Sequence, residues 1–307
     1  MVESYLTDAG GDHATEPRSA NLGRFKLVAK AILPPVLLSA YRRVRHWNRR
    51  PGPAEWEYLP DGWPEESQAV RGWNSQSVLD AQLASWDDFV KAQRSTAPVG
   101  FSRGPDGAGV FNDAQHNTVM SFAYALARAS SGRQRLSMLD WGGGVGPYCV
   151  YASALLPDLD LDYHCRELPL LAEGGRRLLP QATFYADEES ALARRYDFVM
   201  ASSSLHYSRD WRGTLKQLAA VTDGYMYVTR MPVVDHAGSY VVLQRPYRYG
   251  YLTEYPGWFL NRDEFLGAAT DSGLGLLKEF LIAERPVVPN APEAANYRGF
   301  LFAATGR

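Results

Sequence analysis

Between Met138 and Pro147 the chain reads MLDWGGGVGP, four glycines in five positions set between an apolar run and a helix-forming segment. Residues without a β-carbon are needed where backbone turns sharply or lets another group approach closely. Such a turn between a first strand and a first helix is the ligand-approach corner of a parallel α/β sheet. Of three nucleotide-binding patterns, two fail here. A P-loop needs Lys-Ser/Thr after its last glycine, where this chain has Pro147-Tyr148. A GxGxxG dinucleotide fingerprint begun at Gly142 would need its last small residue at Pro147, which disfavours an NAD-dependent reductase. The spacing that fits is D-x-G-x-G-x-G, read as Asp140, Gly142, Gly144 and Gly146, with Gly143 inside it.

The segments that follow predict alternating strands and helices, hence βαβ units and a parallel sheet. "LSMLDW", "LDLDYHCRE", "ATFYAD", "YDFVMASS" and "GYMYVTRMP" read as strands; "YCVYASALL" and "WRGTLKQLAAV" read as helices. In "LDLDYHCRE" strict alternation puts Leu159, Leu161, Tyr163 and Cys165 on one face and leaves His164 exposed on the other. The end reads as a helix and two closing strands. Upstream, Val78, Leu79, Leu83, Trp86 and Val90 fall near helical spacing, as do Val119, Phe122 and Leu126. "RPGPAEWEYLPDGWPEES" reads as an irregular connector and "SRGPDGAG" as a loop.

Charge and cysteine content narrow the function classes. Over 307 residues the net charge is −2, which gives no global attraction to nucleic acid. The two cysteines, Cys149 and Cys165, form no CxxC pair, so neither a disulfide framework nor a metal site is expected, and a reducing cytoplasm suits the chain. Residues 1–20 are acidic and polar and read as a disordered tail; residues 21–115 read as a helical N-terminal extension or cap, and 116–307 as the main domain. Within the extension, residues 24–50 carry eight basic side chains and no acidic one. Their apolar run is too short to span a bilayer and is broken by Pro34-Pro35. Two readings stay open: a helix packed on the domain, or a peripheral contact with anionic lipid. Nothing in the sequence fixes the oligomeric state.

The glycine pattern resembles motif I of the class I S-adenosylmethionine-dependent methyltransferases. Together with "RELPLL", "FVMASSSLHYSRDW", "VTRMPVVDH" and "YPGWFLNRDEF" it resembles a little-characterised bacterial methyltransferase group often found with surface-polysaccharide genes. The resemblance covers residues 117–307. It implies a Rossmann-like fold, a seven-stranded and mostly parallel sheet with an antiparallel last strand, and S-adenosylmethionine as cofactor. The backbone of Gly142, Gly143, Gly144 and Gly146 would pass under the cofactor, with Asp140 at its amino end. Glu167, closing the second strand, would take the ribose hydroxyls, with Leu168 beside it; Asp187 would meet the adenine, and the small Ser202 and Ser203 would leave room at the methyl end.

The segment after the fourth strand also resembles the plant-type small-molecule O-methyltransferases, in which a histidine deprotonates a hydroxyl. His206 stands at that position, but Tyr207-Ser208-Arg209 separate it from Asp210-Trp211. As a base it predicts a rate that falls as pH drops through an ordinary histidine pKa; as a pocket wall it predicts none. His236, beside Asp235, is the rival base. Arg230 could pair with an acidic group on the acceptor, or hold the fold. Tyr255 and Trp258, in an aromatic stretch with Tyr247, Tyr249 and Tyr251, could roof an acceptor pocket or complete a core hairpin. The expected activity is O-methylation of a small molecule or glycan precursor. N- or carboxyl-methylation of a natural product and non-catalytic cofactor binding are the alternatives.

Overall fold

The computed structural model describes residues 53–65, 72–103 and 109–305. The polar tail at 1–20 and the basic segment at 24–50 lie outside the described residues. From residue 54 onward the chain forms one compact unit. Its first half runs β1 (Trp56–Leu59), α1 (Gln76–Gln93), β2 (Phe101–Arg103), β3 (Gly109–Phe111), α2 (Asp113–Ser130), β4 (Arg135–Trp141), α3 (Pro147–Leu155), β5 (Asp160–Arg166), α4 (Pro169–Leu178) and β6 (Thr183–Tyr185). Its second half runs α5 (Glu188–Leu192), β7 (Tyr196–Ser202), α6 (Trp211–Ala220), β8 (Thr222–Val234), β9 (Tyr240–Gln244), β10 (Tyr255–Asn261), α7 (Arg262–Asp271), β11 (Leu274–Leu281) and β12 (Asn296–Ala304).

Strands β6-β5-β4-β7-β8 are parallel neighbours, and β12 lies antiparallel on β8 with β11 outside it. Those are the seven expected strands, with the last one antiparallel. The sheet nevertheless has ten. The reason lies in β8, whose 13 residues overrun β7: the last β7 pair is Ser202 with Thr229, and the strand continues to Val234. Strand β10 pairs with the overhang at Val233 and Val234, β9 pairs with β10, and β1 with β9, so an apolar edge is not left open. The region expected to be a connector thus supplies an edge strand. The "SRGPDGAG" stretch, expected as a loop, begins and ends in the arms of a β2/β3 hairpin.

Period-two alternation sorts the core into two layers. In β4, Leu136 and Met138 face the α1–α4 side with Phe122 and Leu126, while Leu139 and Trp141 face the α6–α7 side with Val199, Leu215 and Phe265. Both faces of β5 are covered, so His164 is buried rather than exposed; Asp162 Oδ1 lies 2.9 Å from its Nε2 and the Tyr185 hydroxyl 3.1 Å from its Nδ1. Phe265 is fully buried among Trp211, Phe300 and Phe302. Phe265→Ala should therefore cost about 3–5 kcal/mol in urea unfolding, a change in midpoint at constant slope. Among the described residues, no helix is long and apolar enough to cross a membrane.

Candidate active site

The glycine loop joins β4 to α3 at the carboxyl end of the sheet, where ligands of parallel α/β folds bind. Gly142, Gly144 and Gly146 alternate in left-handed backbone, φ 70°, 61° and 94°, which explains their spacing. The space each one spares is filled by protein. A β-carbon at Gly142 would meet Ser204 Cβ at 2.4 Å, and one at Gly143 would meet Asp140 Oδ2 at 2.4 Å. One at Gly146 would meet Leu179 Cδ1 at 2.6 Å. At Gly144 the neighbour is Gln82 Oε1 of α1, 2.7 Å away. That same oxygen accepts the Val145 N–H at 3.1 Å. Gln82 carried no sequence signal, because only the fold brings α1 to the loop.

Two carboxylates sit under and beside this loop. Asp140 is fully buried; its Oδ2 accepts the Tyr163 hydroxyl at 2.6 Å, and its Oδ1 has no partner. Burial, offset in part by Tyr163 and reinforced by Glu167, pushes its pKa up to about 7. Glu167 is also buried, with Oε1 accepting the Gly144 N–H at 3.0 Å and Oε2 the Leu168 N–H at 2.5 Å. Burial raises its pKa against the pull of those two bonds. Asp187, by contrast, is exposed and caps α5, accepting the Ser190 N–H at 2.8 Å.

Past β7 the chain makes a 3-10 turn, Leu205–Tyr207, that carries His206 inward. His206 is 1% exposed, and neither ring nitrogen has a partner. Burial first, then the nearby Arg230 charge, pushes its pKa down to about 3. The imidazole is therefore neutral at ordinary pH, and the acid limb expected from an ordinary histidine is not its property. Its ring lies 4.0 Å from that of Tyr207, whose hydroxyl donates to Gln244 Oε1 at 2.6 Å. Tyr255 is buried and stacks on Trp73 at 4.1 Å, and Trp73 Nε1 is buried without a partner.

Two left-handed non-glycine residues lie near His206. Ser203 (φ 52°) follows β7 and donates its N–H to Thr229; Arg230 (φ 49°) comes next on β8. Arg230 stands where β12 slips register against β8, a bulge that re-aims its side chain. It is half-exposed and pairs with Glu284 at 3.4 Å. Strain of this kind collects at functional sites. Ser202 is held by the Tyr148 hydroxyl at 2.8 Å.

The remaining candidates fall elsewhere. His236 is exposed on the turn after β8, its N–H held by Glu293. Tyr255 and Trp258 lie on opposite faces of β10 by alternation; Trp258 donates to the Arg209 carbonyl and packs at 5.8 Å from Trp63. Tyr255 packs against Tyr207, which lies against His206, and Trp258 is on the opposite face of β10.

The sequence model of a family described as "Methyltransferase domain" matches residues 115–278. The chain belongs to this methyltransferase family. The match spans the glycine loop, both buried carboxylates and His206. Among solved structures it is similar to magnesium protoporphyrin IX methyltransferase from Synechocystis PCC 6803, at 13% identity over 78% of this chain and 100% of that one, TM-score 0.43. It is also similar to 1,6-didemethyltoxoflavin-N1-methyltransferase from Burkholderia thailandensis, at 15% identity over 82% and 100%, TM-score 0.44. No curated protein matches the sequence. Likeness at these scores bears on neither ligand nor acceptor.

The cofactor of this methyltransferase domain is S-adenosylmethionine. The residues present fit it. Two buried carboxylates with raised pKa values and one unpartnered oxygen, Asp140 Oδ1, suit a ligand that carries positive charge. A pyrophosphate would face the same two carboxylates with the wrong sign.

Proposed function

We propose that the protein O-methylates a small molecule or glycan precursor, with His206 as the general base. The observation that carries this reading is the buried His206 imidazole, both nitrogens unpartnered, immediately beyond the β7 end of the sheet. One buried N–H and one bare nitrogen are costly alone and are matched by a hydroxyl acceptor. Asp140 and Glu167 hold the cofactor's amino end and ribose, the glycine backbone passes beneath it, and Leu168, Ser202 and Ser203 border it. Asp187, exposed on its cap, would meet the adenine.

S-adenosylmethionine supplies a methyl group on a sulfonium, with a thioether as leaving group. His206 would orient the acceptor oxygen and take its proton at the bare ring nitrogen during methyl transfer. A pKa near 3 makes a weak base in the resting pocket. Because the bound cofactor would lose its positive charge in the transfer, the net charge around His206 would not rise when the imidazolium formed. Arg230 and Tyr255 border the acceptor. Arg230→Gln should make His206 easier to protonate, since the nearby guanidinium repels a proton on the buried imidazole. NMR titration of the His206 ring should show that upward shift, and an unchanged value would remove Arg230 from the pocket. The test of the activity is methyl transfer from labelled S-adenosylmethionine to hydroxylated acceptors, wild type against His206→Ala. Transfer to amines or carboxylates alone would favour the N- or carboxyl-methylating alternative.

A further inference from the structure

Two residues with buried, unpartnered polar atoms share one neighbouring ring. Trp73 Nε1 has no hydrogen-bond partner, and neither has either nitrogen of His206. The Tyr207 ring centroid lies 5.1 Å from that of Trp73, edge-on, and 4.0 Å from that of His206. Tyr255 completes the set, stacked on Trp73 at 4.1 Å and edge-on to Tyr207 at 5.0 Å. On the same face of β10, a β-carbon at Gly257 would lie 3.1 Å from the Tyr207 ring and 3.6 Å from His206 Cδ2. The backbone around Trp73 is tied on both sides. Gly72 donates its N–H to the Glu254 carbonyl at 3.1 Å, and its own carbonyl accepts the Thr253 hydroxyl at 2.7 Å. Asn74 Oδ1 accepts the Leu170 N–H at 3.2 Å, in the first turn of α4 and just after Glu167. The segment that carries Trp73 therefore joins the start of α4 to the rings beside His206.

We infer that Trp73 is a specificity-determining residue, its indole N–H donating to a second oxygen of the acceptor whose first oxygen faces His206. This rests on the reading of His206 as the group that takes the acceptor hydroxyl. A buried donor left unpartnered is costly, and a bound oxygen relieves that cost. An indole nitrogen can only donate, so it selects a hydrogen-bond acceptor. Rings stand between the two polar positions, and the Tyr207 hydroxyl is already used, donating to Gln244 Oε1 at 2.6 Å. A planar ring with two oxygens suits such surroundings through stacking and edge contacts. A sugar would set a hydroxyl against the rings at almost every carbon, and each would need a partner. The acceptor class is a hydroxylated planar ring carrying a second oxygen that accepts a hydrogen bond.

The chain has eight tryptophans, so isotope labelling of the indole nitrogens gives a small set of NMR signals. Trp73→Phe identifies the Trp73 signal by its loss and keeps a ring on Tyr255. The full chain, saturated with S-adenosylhomocysteine, is titrated with catechol, resorcinol and hydroquinone, which set a second oxygen at graded distances from the first. Phenol, which has one oxygen, is the comparison. At least one diol should move the Trp73 N–H proton downfield, and phenol should not. Affinity for that diol should fall about tenfold in Trp73→Phe, one net hydrogen bond's worth, with phenol unaffected. Diols that all leave the signal in place overturn the proposal. An equal loss of diol and phenol affinity in the variant does so too, since packing alone gives that result. Methyl glucoside moving the signal where no diol does overturns the planar-ring class. If diol and phenol bind His206→Ala as tightly as wild type, the His206 reading falls and this inference with it.

Discussion

His206→Ala should lower turnover by about 10²- to 10⁴-fold while S-adenosylmethionine affinity stays within a few-fold of wild type. The split follows from position. His206 is carried by the turn beyond β7, next to Tyr207 and in the field of Arg230, while the buried carboxylates that suit the cofactor lie at β4 and β5. Because its pKa is held near 3, no loss of rate between pH 8 and pH 5 should arise from it, in wild type or variant. His236→Ala is the control: an exposed imidazole after β8 should be dispensable. A dead His236→Ala beside an active His206→Ala would move the base to the turn after β8. Two active variants would mean an acceptor that needs no base, such as a neutral amine or a carboxylate.

The second large effect concerns Asp140. Its pKa of about 7 in the ligand-free fold means that near neutrality the carboxyl is half protonated. A cationic ligand favours the ionised form, so binding releases a proton below that pKa. Affinity for S-adenosylmethionine should fall by up to about tenfold per pH unit as pH drops below 7, and should level off above it. Asp140→Asn should weaken binding by about 10- to 100-fold, the range for a charged hydrogen bond, and should remove the pH dependence. Ligand-free stability should move the other way. A carboxyl whose folded pKa is raised contributes stability that is full below its unfolded value and is lost as pH rises through about 7. The asparagine variant lacks that loss, so above pH 7 it should melt no lower than wild type. Calorimetric titration and thermal melts across pH 6–8.5 read both signs.

Much of this was legible in the chain. The D-x-G-x-G-x-G spacing located the strand-to-helix corner, because left-handed backbone at alternate positions admits little but glycine. Period-two alternation located the strands but misjudged His164, since one strand cannot show that its polar-looking face will be covered by Tyr185 and Tyr196. Strand β1 escaped notice, and the hairpin left open as one reading of the aromatic stretch could not be tied to the sheet, because β1 and the β9/β10 hairpin gain their place from the overhang of β8, a tertiary fact. Gln82 and Trp73 were invisible for the same reason: an amide on a helix and an indole in a connector acquire roles only when folding brings them to the loop and to Tyr255. The parity of Tyr255 and Trp258, by contrast, was readable; positions three apart on a strand face opposite ways.

We propose that the loop at 142–146, with Glu167, holds S-adenosylmethionine. Isothermal titration at pH 8 of wild type and Glu167→Ala with S-adenosylhomocysteine, and of wild type with NAD, tests it most directly. Wild type should show one site per chain, Glu167→Ala an affinity about tenfold or more weaker, and NAD no heat. Binding of NAD in preference, or S-adenosylhomocysteine binding untouched by the loss of Glu167, would contradict it.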